Sequence, residues 1–372
     1  MSVGATQSGL PYMAFLASYA IFMCIAGGFI DKYSPSLVII MGGFLVGSGW
    51  ILSGFATNIN MLTITYGFIA GGGVGIIYGV PIAVVTRWFP DRKGLAVGLT
   101  LLGFGLSPFI TAPISRWLID LYGPMHTFKI LGIIFFIVIT ALAIPFRFPR
   151  GNVLNIRKSI IKNKRQPREF TPNEMLRSAK FYGLWLCYAI GTMVGLLAIG
   201  ITSPVGEEVI KLDSHQAALM VSIFAIFNGI GRPLFGWLTD KLNPLKTAVI
   251  SYIIIIASAS LMMIAKEGTV FLYMLSFAML WLILGGWLAI APTATAIYFG
   301  MENNSRNYGF VFTAYGAGAV VGVVLSGMIR DSLGSYIYVF YPMILLALLG
   351  IFIAAVFLNT NYKFTTKFAK IK

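Results

Sequence analysis

Arg232 stands inside an apolar run, Phe227-Asn228-Gly229-Ile230-Gly231-Arg232-Pro233-Leu234-Phe235, eight residues before the nearest acid in sequence, Asp240. A guanidinium in hydrocarbon costs at least about 2.5–3.5 kcal/mol on insertion scales, so its presence there requires a compensating gain. Its planar fork of donors matches a carboxylate through two parallel hydrogen bonds. Facing an internal cavity, it would select anions and be neutralised by them. Snorkelling toward the membrane surface near Asp240 is the competing reading. Asn228, at i−4 on the same helix face, is placed to bond the same carboxylate or to orient the guanidinium; a helix–helix hydrogen bond is its alternative use.

Few other groups offer chemistry. No carboxylate lies in the middle of an apolar run, and His126 and His215 lie near run ends. A proton-coupled carrier usually needs a titratable group within the membrane, whereas exchange of one anion for another needs only the arginine. Cys24 and Cys187 are isolated within apolar stretches and offer neither a disulfide framework nor metal-ligand spacing. No nucleophile with its base, carboxylate pair or metal cluster is visible, so the sequence predicts no catalytic residue, no metal, no cofactor and no enzyme. Gly67, Gly71, Gly75 and Gly79 recur at four-residue spacing. They predict a flat helix face for close packing, since no Gly-Lys-Ser/Thr follows to make a phosphate loop. Gly94 and Gly98, and Gly318 and Gly322, repeat the pattern more weakly.

The elements that must position these groups are set by composition. Of 372 residues, 58% are hydrophobic and 10% charged, which rules out a single water-soluble core. Apolar runs at about 10–30, 36–55, 60–89, 94–119, 127–147, 180–203, 216–238, 247–265, 270–298, 308–328 and 336–358 predict eleven helical spans, because backbone groups in lipid must bond within their own segment. The first run follows the uncharged stretch Met1 to Gly9, without the basic region of a signal peptide, and reads as a retained span. The net charge of +15 is distributed by membrane side. One set of loops and the tail carry 21 basic residues, ten of them from Arg147 to Lys180; the other set carries Arg116, Lys129, Lys211, Lys266 and Arg330. The positive-inside rule places the first set and the C-terminus in the cytoplasm and the N-terminus outside. Nucleic acid is therefore not an expected partner; the lipid bilayer is.

The chain also repeats itself. Gly27-x3-Asp31-Lys32-Tyr33-Ser34-Pro35 recurs as Gly236-x3-Asp240-Lys241-Leu242-Asn243-Pro244 at an offset of 209, while Asp120-Leu121-Tyr122-Gly123 recurs as Asp331-Ser332-Leu333-Gly334, and Pro81 as Pro292, at 211. The repeat divides the chain into an N-terminal bundle (1–147), a basic cytoplasmic loop (148–179), a C-terminal bundle (180–358) and a basic cytoplasmic tail (359–372). Repeated helical units around a central cavity are a common plan of secondary transporters. The Gly27 motif ends the first span of its half and the Gly236 motif the second of its own, so the pattern predicts six spans per half with one absent from the first.

The repeated Gly-x3-Asp-Lys loop resembles the signature of the major facilitator superfamily. Gly71-Gly72-Gly73-Val74-Gly75-Ile76-Ile77-Tyr78-Gly79-Val80-Pro81-Ile82, Arg87-Trp88-Phe89-Pro90-Asp91-Arg92-Lys93-Gly94, Asn228-x3-Arg232-Pro233 and Asn307-Tyr308-Gly309-x2-Phe312-Thr313-Ala314-Tyr315-Gly316 are similar to the oxalate:formate antiporter and monocarboxylate transporter branch. The resemblance implies an all-α integral membrane protein of the two-bundle type in the plasma membrane. It implies alternating access by antiport or proton-linked symport, with an organic anion and a counter-anion or proton as partners. A transporter of another substrate class, such as a sugar, drug or metabolite, is the alternative. The resemblance also implies substrate contact for Tyr78 and Tyr315, against packing as the other reading. It implies gating roles for Gly27, Asp31, Lys32, Gly236, Asp240, Lys241, Arg92 and Lys93, with Asp31 and Asp240 capping helices of the opposite half near Arg306 and Gly94. A solvated loop charge is the alternative for each aspartate. Two departures stand out: Ser34-Pro35-Ser36 and Asn243-Pro244-Leu245 replace the loop's usual Gly-Arg-Arg, and Tyr315 stands where oxalate-handling relatives tend to carry lysine. Without that second cation, a monocarboxylate is the expected substrate over oxalate.

Overall fold

The structure, a computed structural model, describes residues 9–30, 32–149 and 168–359, apart from the side chains of Val323 and Val324. Asp31, most of the basic central stretch and residues 360–372, on which several of the expectations above fall, lie outside the described residues. The described residues form helices and connecting turns, with no strand among them. In order they are α1 (Leu10–Ile30), α2 (Pro35–Ser53), α3 (Ile59–Trp88), α4 (Lys93–Ala143), the short α5 (Pro172–Leu176), α6 (Ala179–Val205), α7 (Ser214–Leu242), α8 (Pro244–Met263), α9 (Val270–Phe299), α10 (Asn304–Leu333) and α11 (Phe340–Phe357).

Ten of these helices are long and apolar enough to cross a membrane. At 51 residues α4 would be about 77 Å long, far beyond the ~30 Å of a hydrocarbon core. It breaks at Gly123, whose φ of 73° is open to glycine and which precedes Pro124, a residue without an amide hydrogen. The arms 93–122 and 124–143 therefore make two crossings, and eleven crossings result. The separate spans expected at 94–119 and 127–147 thus run closer together than their apolar runs indicated, joined by a break at the single residue Gly123.

Helix starts carry local chemistry. Ser34 and Asn243 occupy equivalent places in the repeat; each accepts an amide at the start of the helix it caps, Leu37 for α2 and Lys246 for α8, and each is followed by proline at the first helical position. The Ser-Pro and Asn-Pro departures in the signature loops are thus helix starts. Asp213 opens α7 with a reciprocal capping box to Gln216. Helix α5 lies within the stretch read as a loop: its own box, Thr171 with Glu174, orders the end of that segment, and donation from the Thr171 amide and hydroxyl holds the Glu174 carboxyl below the usual carboxylate range. Two π-helical stretches, Thr63–Ala70 within α3 and Gly206–Ile210 after α6, carry no sequence signature that we recognise.

The glycine stripe of α3 packs on α1. A Cβ on Gly67 would lie 2.7 Å from that of Ala14, one on Gly71 2.8 Å from the Phe15 carbonyl oxygen, and one on Gly75 would overlap Tyr19. The two halves meet chiefly along two helix pairs, α1 with α10 and α4 with α7, with smaller contacts of α4 with α9 and of α3 with α10. In the second half α6 packs against α9, α10 and α11. The equivalent first-half face, on α3 and the arms of α4, has no helix over it among the described residues, and Phe109 and Trp117 are exposed there.

Candidate functional site

Arg232 and Asn228 lie on one face of α7 and are both buried, the arginine to 2% exposure. The guanidinium does not reach for a membrane surface. Nη1 donates to the Leu101 carbonyl of α4 at 3.0 Å and Nη2 to Asn228 Oδ1 at 3.1 Å. Asn228 in turn donates through Nδ2 to the Trp281 carbonyl of α9 at 3.4 Å. Asn228 thus orients the guanidinium while also tying α7 to α9. This closeness depends on glycine: a Cβ on Gly285 would overlap the Asn228 carbonyl and one on Gly231 the Leu282 carbonyl.

The charge itself is not neutralised. No carboxylate pairs with Arg232 among the described residues, and its Nε is buried without an acceptor. Its guanidinium carbon lies 5.2 Å from the Phe104 ring centroid of α4, a contact worth about 0.5–2 kcal/mol. One carbonyl, one amide and one ring leave a desolvated cation with capacity to spare.

Aromatic side chains from both halves continue the wall. Phe104 packs edge-on against Tyr78 at 5.4 Å; Tyr78 meets Tyr19 at 5.3 Å and Phe312 at 5.4 Å; Phe312 stacks on Tyr315 at 5.1 Å. The Tyr78 hydroxyl approaches Arg232 and Tyr19 without completing a hydrogen bond to either and is buried unpaired. An unpaired buried donor of this kind costs about 1–3 kcal/mol. The fold therefore brings Arg232, Asn228 and Tyr78 together and sets Tyr315 one ring further away, stacked on Phe312 and 6.1 Å from the Tyr19 ring.

Sequence reasoning missed Tyr19, Leu101, Phe104 and Phe312, though for Tyr19 and Phe104 the repeat contained a signal. The offset of 209 carries Tyr19 onto Asn228 and Met23 onto Arg232, while 211 carries Leu101 onto Phe312 and Phe104 onto Tyr315. The site thus lies where equivalent positions of the two halves face one another, with the cation on one side only.

The loops singled out as gates lie at the end carrying the basic loops. Asp240 accepts the Gly94 amide at 2.8 Å on Oδ1 and the Leu95 amide at 2.9 Å on Oδ2, so a second-half carboxylate caps the first turn of first-half α4. A Cβ on Gly94 or on Gly236 would overlap the other residue's backbone. The repeat-related contact sets Gly27 against Ser305: a Cβ there would lie 2.6 Å from the Ser305 carbonyl oxygen. Lys93 lies within electrostatic reach of Glu169 and Asp240, Lys241 stands 4.5 Å from the Trp237 ring centroid, and Lys32 and Arg92 are exposed. Glu169 accepts the Glu302 amide at 2.9 Å, while Asn303 and Asn307 donate to the Phe170 carbonyl, which ties the end of the central segment to the start of α10. The glycine-mediated approaches between the halves, Gly94, Gly98 and Gly105 against α7 and Gly27, Gly309 and Gly316 between α1 and α10, run from the basic end to just past the depth of the arginine.

Comparison with known proteins extends this geometry. Residues 1–212 and 188–372 match the family model of the Major Facilitator Superfamily. The oxalate:formate antiporter of Oxalobacter formigenes is 33% identical over 311 residues, covering 83% of this chain and 72% of that protein. Monocarboxylate transporter 12-B of Danio rerio is 26% identical over 368 residues, covering 92% and 77%. Among solved structures, the E. coli fucose:proton symporter FucP superposes with a TM-score of 0.72 at 16% identity, covering 94% of this chain and 90% of that one. The human organic anion transporter MFSD10 does so at 0.69 and 12% identity, covering 93% and 83%.

Proposed function

Because the chain belongs to the Major Facilitator Superfamily, in its oxalate:formate antiporter and monocarboxylate transporter-like branch, we propose that this multi-pass membrane transporter carries a small monocarboxylate by alternating access, with Arg232 as the anchor of the anion. The observation that carries this reading is the buried guanidinium without an acidic partner, its Nε and the Tyr78 hydroxyl both left unpaired beside it. A carboxylate there would supply acceptors to both donors and cancel the charge.

Charge balance favours a monoanion. At about 4 Å and an effective dielectric near 20, one carboxylate gains roughly 4 kcal/mol from the guanidinium. A dianion would bring a second charge with no second cation to meet it, since Tyr315, Phe312 and Tyr19 around the remaining wall are neutral. Small substrates such as formate, lactate or pyruvate follow from the closeness of the rings.

Exchange is the mode that the residues favour. Among the described residues no Asp, Glu or His lies midway along a crossing, so substrate binding is what neutralises the site. Return of the empty carrier would drag an unpaired charge through the closed state, which couples movement of one anion to binding of another. The positive-inside rule assigns the basic end to the cytoplasm of a cell membrane and carries the C-terminus with it. With close contacts between the halves gathered at that end, this conformation is closed to the cytoplasm, and the Asp240 cap is its latch. Counterflow of labelled formate, lactate, pyruvate and oxalate into vesicles containing the purified protein tests the substrate class. Saturable exchange of a monocarboxylate with weak or no oxalate exchange is expected; exchange of oxalate in preference to all three would overturn the charge argument.

A further inference from the structure

The ring that closes one side of the arginine site, Phe312, also touches a second group of polar side chains, within electrostatic reach of Tyr78. Tyr188 of α6 lies 6.4 Å from it and Tyr308 of α10 5.8 Å, while Trp287 of α9 stacks on Tyr188 at 6.3 Å and 28°. All three side chains are buried to 2% exposure or less. The Tyr188 and Tyr308 hydroxyls approach one another without completing a hydrogen bond, and neither they nor Trp287 Nε1 has a completed hydrogen bond.

This is not a general feature of the second half. Tyr252 donates to the Cys187 carbonyl, Tyr273 to the Thr202 carbonyl and Tyr298 to the Leu358 carbonyl, and the indoles of Trp185 and Trp281 donate to Thr313 and Thr202. The fold satisfies these phenols and indoles and leaves three neighbours unsatisfied beside the transport route. Leaving a buried donor unmade is unfavourable, so three in contact point to a partner that arrives in another state. Packing reinforces the arrangement: a side chain on Gly191 would overlap the Trp287 indole, and its absence lets that ring seat against α6.

Depth gives the cluster its place. Counted along their helices from the basic end, Tyr308 lies about 6 Å in and Tyr188 about 14 Å, against about 15 Å for Arg232 and about 18 Å for Trp287. The unpaired donors therefore run from just beyond the level of the arginine, at Trp287, to near the basic mouth, at Tyr308. We propose that Tyr188, Tyr308 and Trp287 form a second, uncharged station for the carboxylate, occupied as it passes between Arg232 and the basic end once the halves part there. Hydroxyl and indole donors hold a carboxylate by hydrogen bonds and feel the Arg232 charge only from a distance, which suits a site the anion must leave. The station rests on the reading of Arg232 as the anchor, and its test is built to fail separately.

The measurement is labelled-formate exchange in vesicles of known protein orientation, with formate varied on one face at a time. The Tyr188→Phe/Tyr308→Phe double variant keeps both rings and removes both hydroxyls. It is expected to raise the half-saturating formate concentration on the basic face at least fivefold and to leave the opposite face within twofold. Unchanged values on both faces, the result if the hydroxyls hold only water, or equal rises on both, the result of general repacking, would overturn the station. If the double variant does not fold, Tyr308→Phe alone decides by the same criterion. Arg232→Gln run in parallel should abolish exchange from both faces. If it does not, the anchor is wrong whatever the tyrosines do; wild-type protein without formate exchange would remove both.

Discussion

Asp240 Oδ1 accepts the backbone amide of Gly94 at 2.8 Å across the boundary between the two halves of the chain. The carboxylate belongs to the end of α7 and the amide to the first turn of α4, so the bond exists only while those helices are together at the basic end. Loss of a helix cap costs about 0.5–2 kcal/mol and loss of the charge–dipole term about 0.3–1 kcal/mol. Asp240→Ala should shift the conformational balance toward the basic-end-open state by about 1–2 kcal/mol, or roughly 5- to 30-fold. Asp240→Asn, which keeps one acceptor oxygen, should shift it less. Reactivity of a cysteine placed at the basic-end interface reads the population directly. Equal reactivity in all three proteins would make Asp240 a solvated charge.

Gly94 and Gly236 test the same closure sterically. Neither can carry a Cβ without overlap with the other's backbone, so Gly94→Ala should hold the basic end apart. The expected signature is a large loss of turnover with substrate binding retained, read as slow counterflow alongside normal protection of the protein by formate against thermal unfolding. Normal turnover in Gly94→Ala would mean that the two helices need not come this close.

Tyr78 tests the wall of the site. Tyr78→Phe removes an unpaired hydroxyl and keeps the contacts to Phe104, Tyr19 and Phe312. A hydrogen bond to the anion worth about 0.5–1.5 kcal/mol would raise the half-saturating substrate concentration by roughly 2- to 12-fold. Because no native bond is lost in the absence of substrate, thermal stability of the substrate-free protein should stay the same or rise. A fall in stability with unchanged affinity would assign Tyr78 to packing.

Asn243 separates backbone strain from capping. It holds φ at 91°, a region that L residues rarely enter, and its side chain caps α8 through the Lys246 amide at 3.0 Å. Asn243→Gly should lose the cap alone, and Asn243→Ala both the cap and the tolerance of positive φ. The alanine variant should therefore be less stable than the glycine variant by about 1 kcal/mol or more in detergent unfolding. The opposite order would show that this turn relaxes freely.

Much of this architecture was legible because lipid narrows the choices: an apolar run of sufficient length becomes a helix, although the break at Gly123-Pro124 lies past the run end read at 119. The arginine was legible for the same reason, since few groups are tolerated there. What could not be read was which side chains the halves press together. Nothing local marks Phe104 or Tyr19 as lining a site among so many aromatic residues; their roles follow from the crossing of α4 with α7 and of α1 with α10. The Leu101 carbonyl was beyond reach for another reason: every residue has one, and only the tertiary contact tells which is offered to Arg232.

Counterflow of a labelled monocarboxylate in Arg232→Gln protein, with folding verified by its thermal unfolding profile, bears most directly on the anchor. Glutamine keeps a polar side chain that can reach Leu101 or Asn228 and removes the charge. The predicted result is a folded protein in which saturable exchange falls at least a hundredfold. Exchange within a fewfold of wild type would contradict the account and leave Arg232 as a bond between α7 and α4.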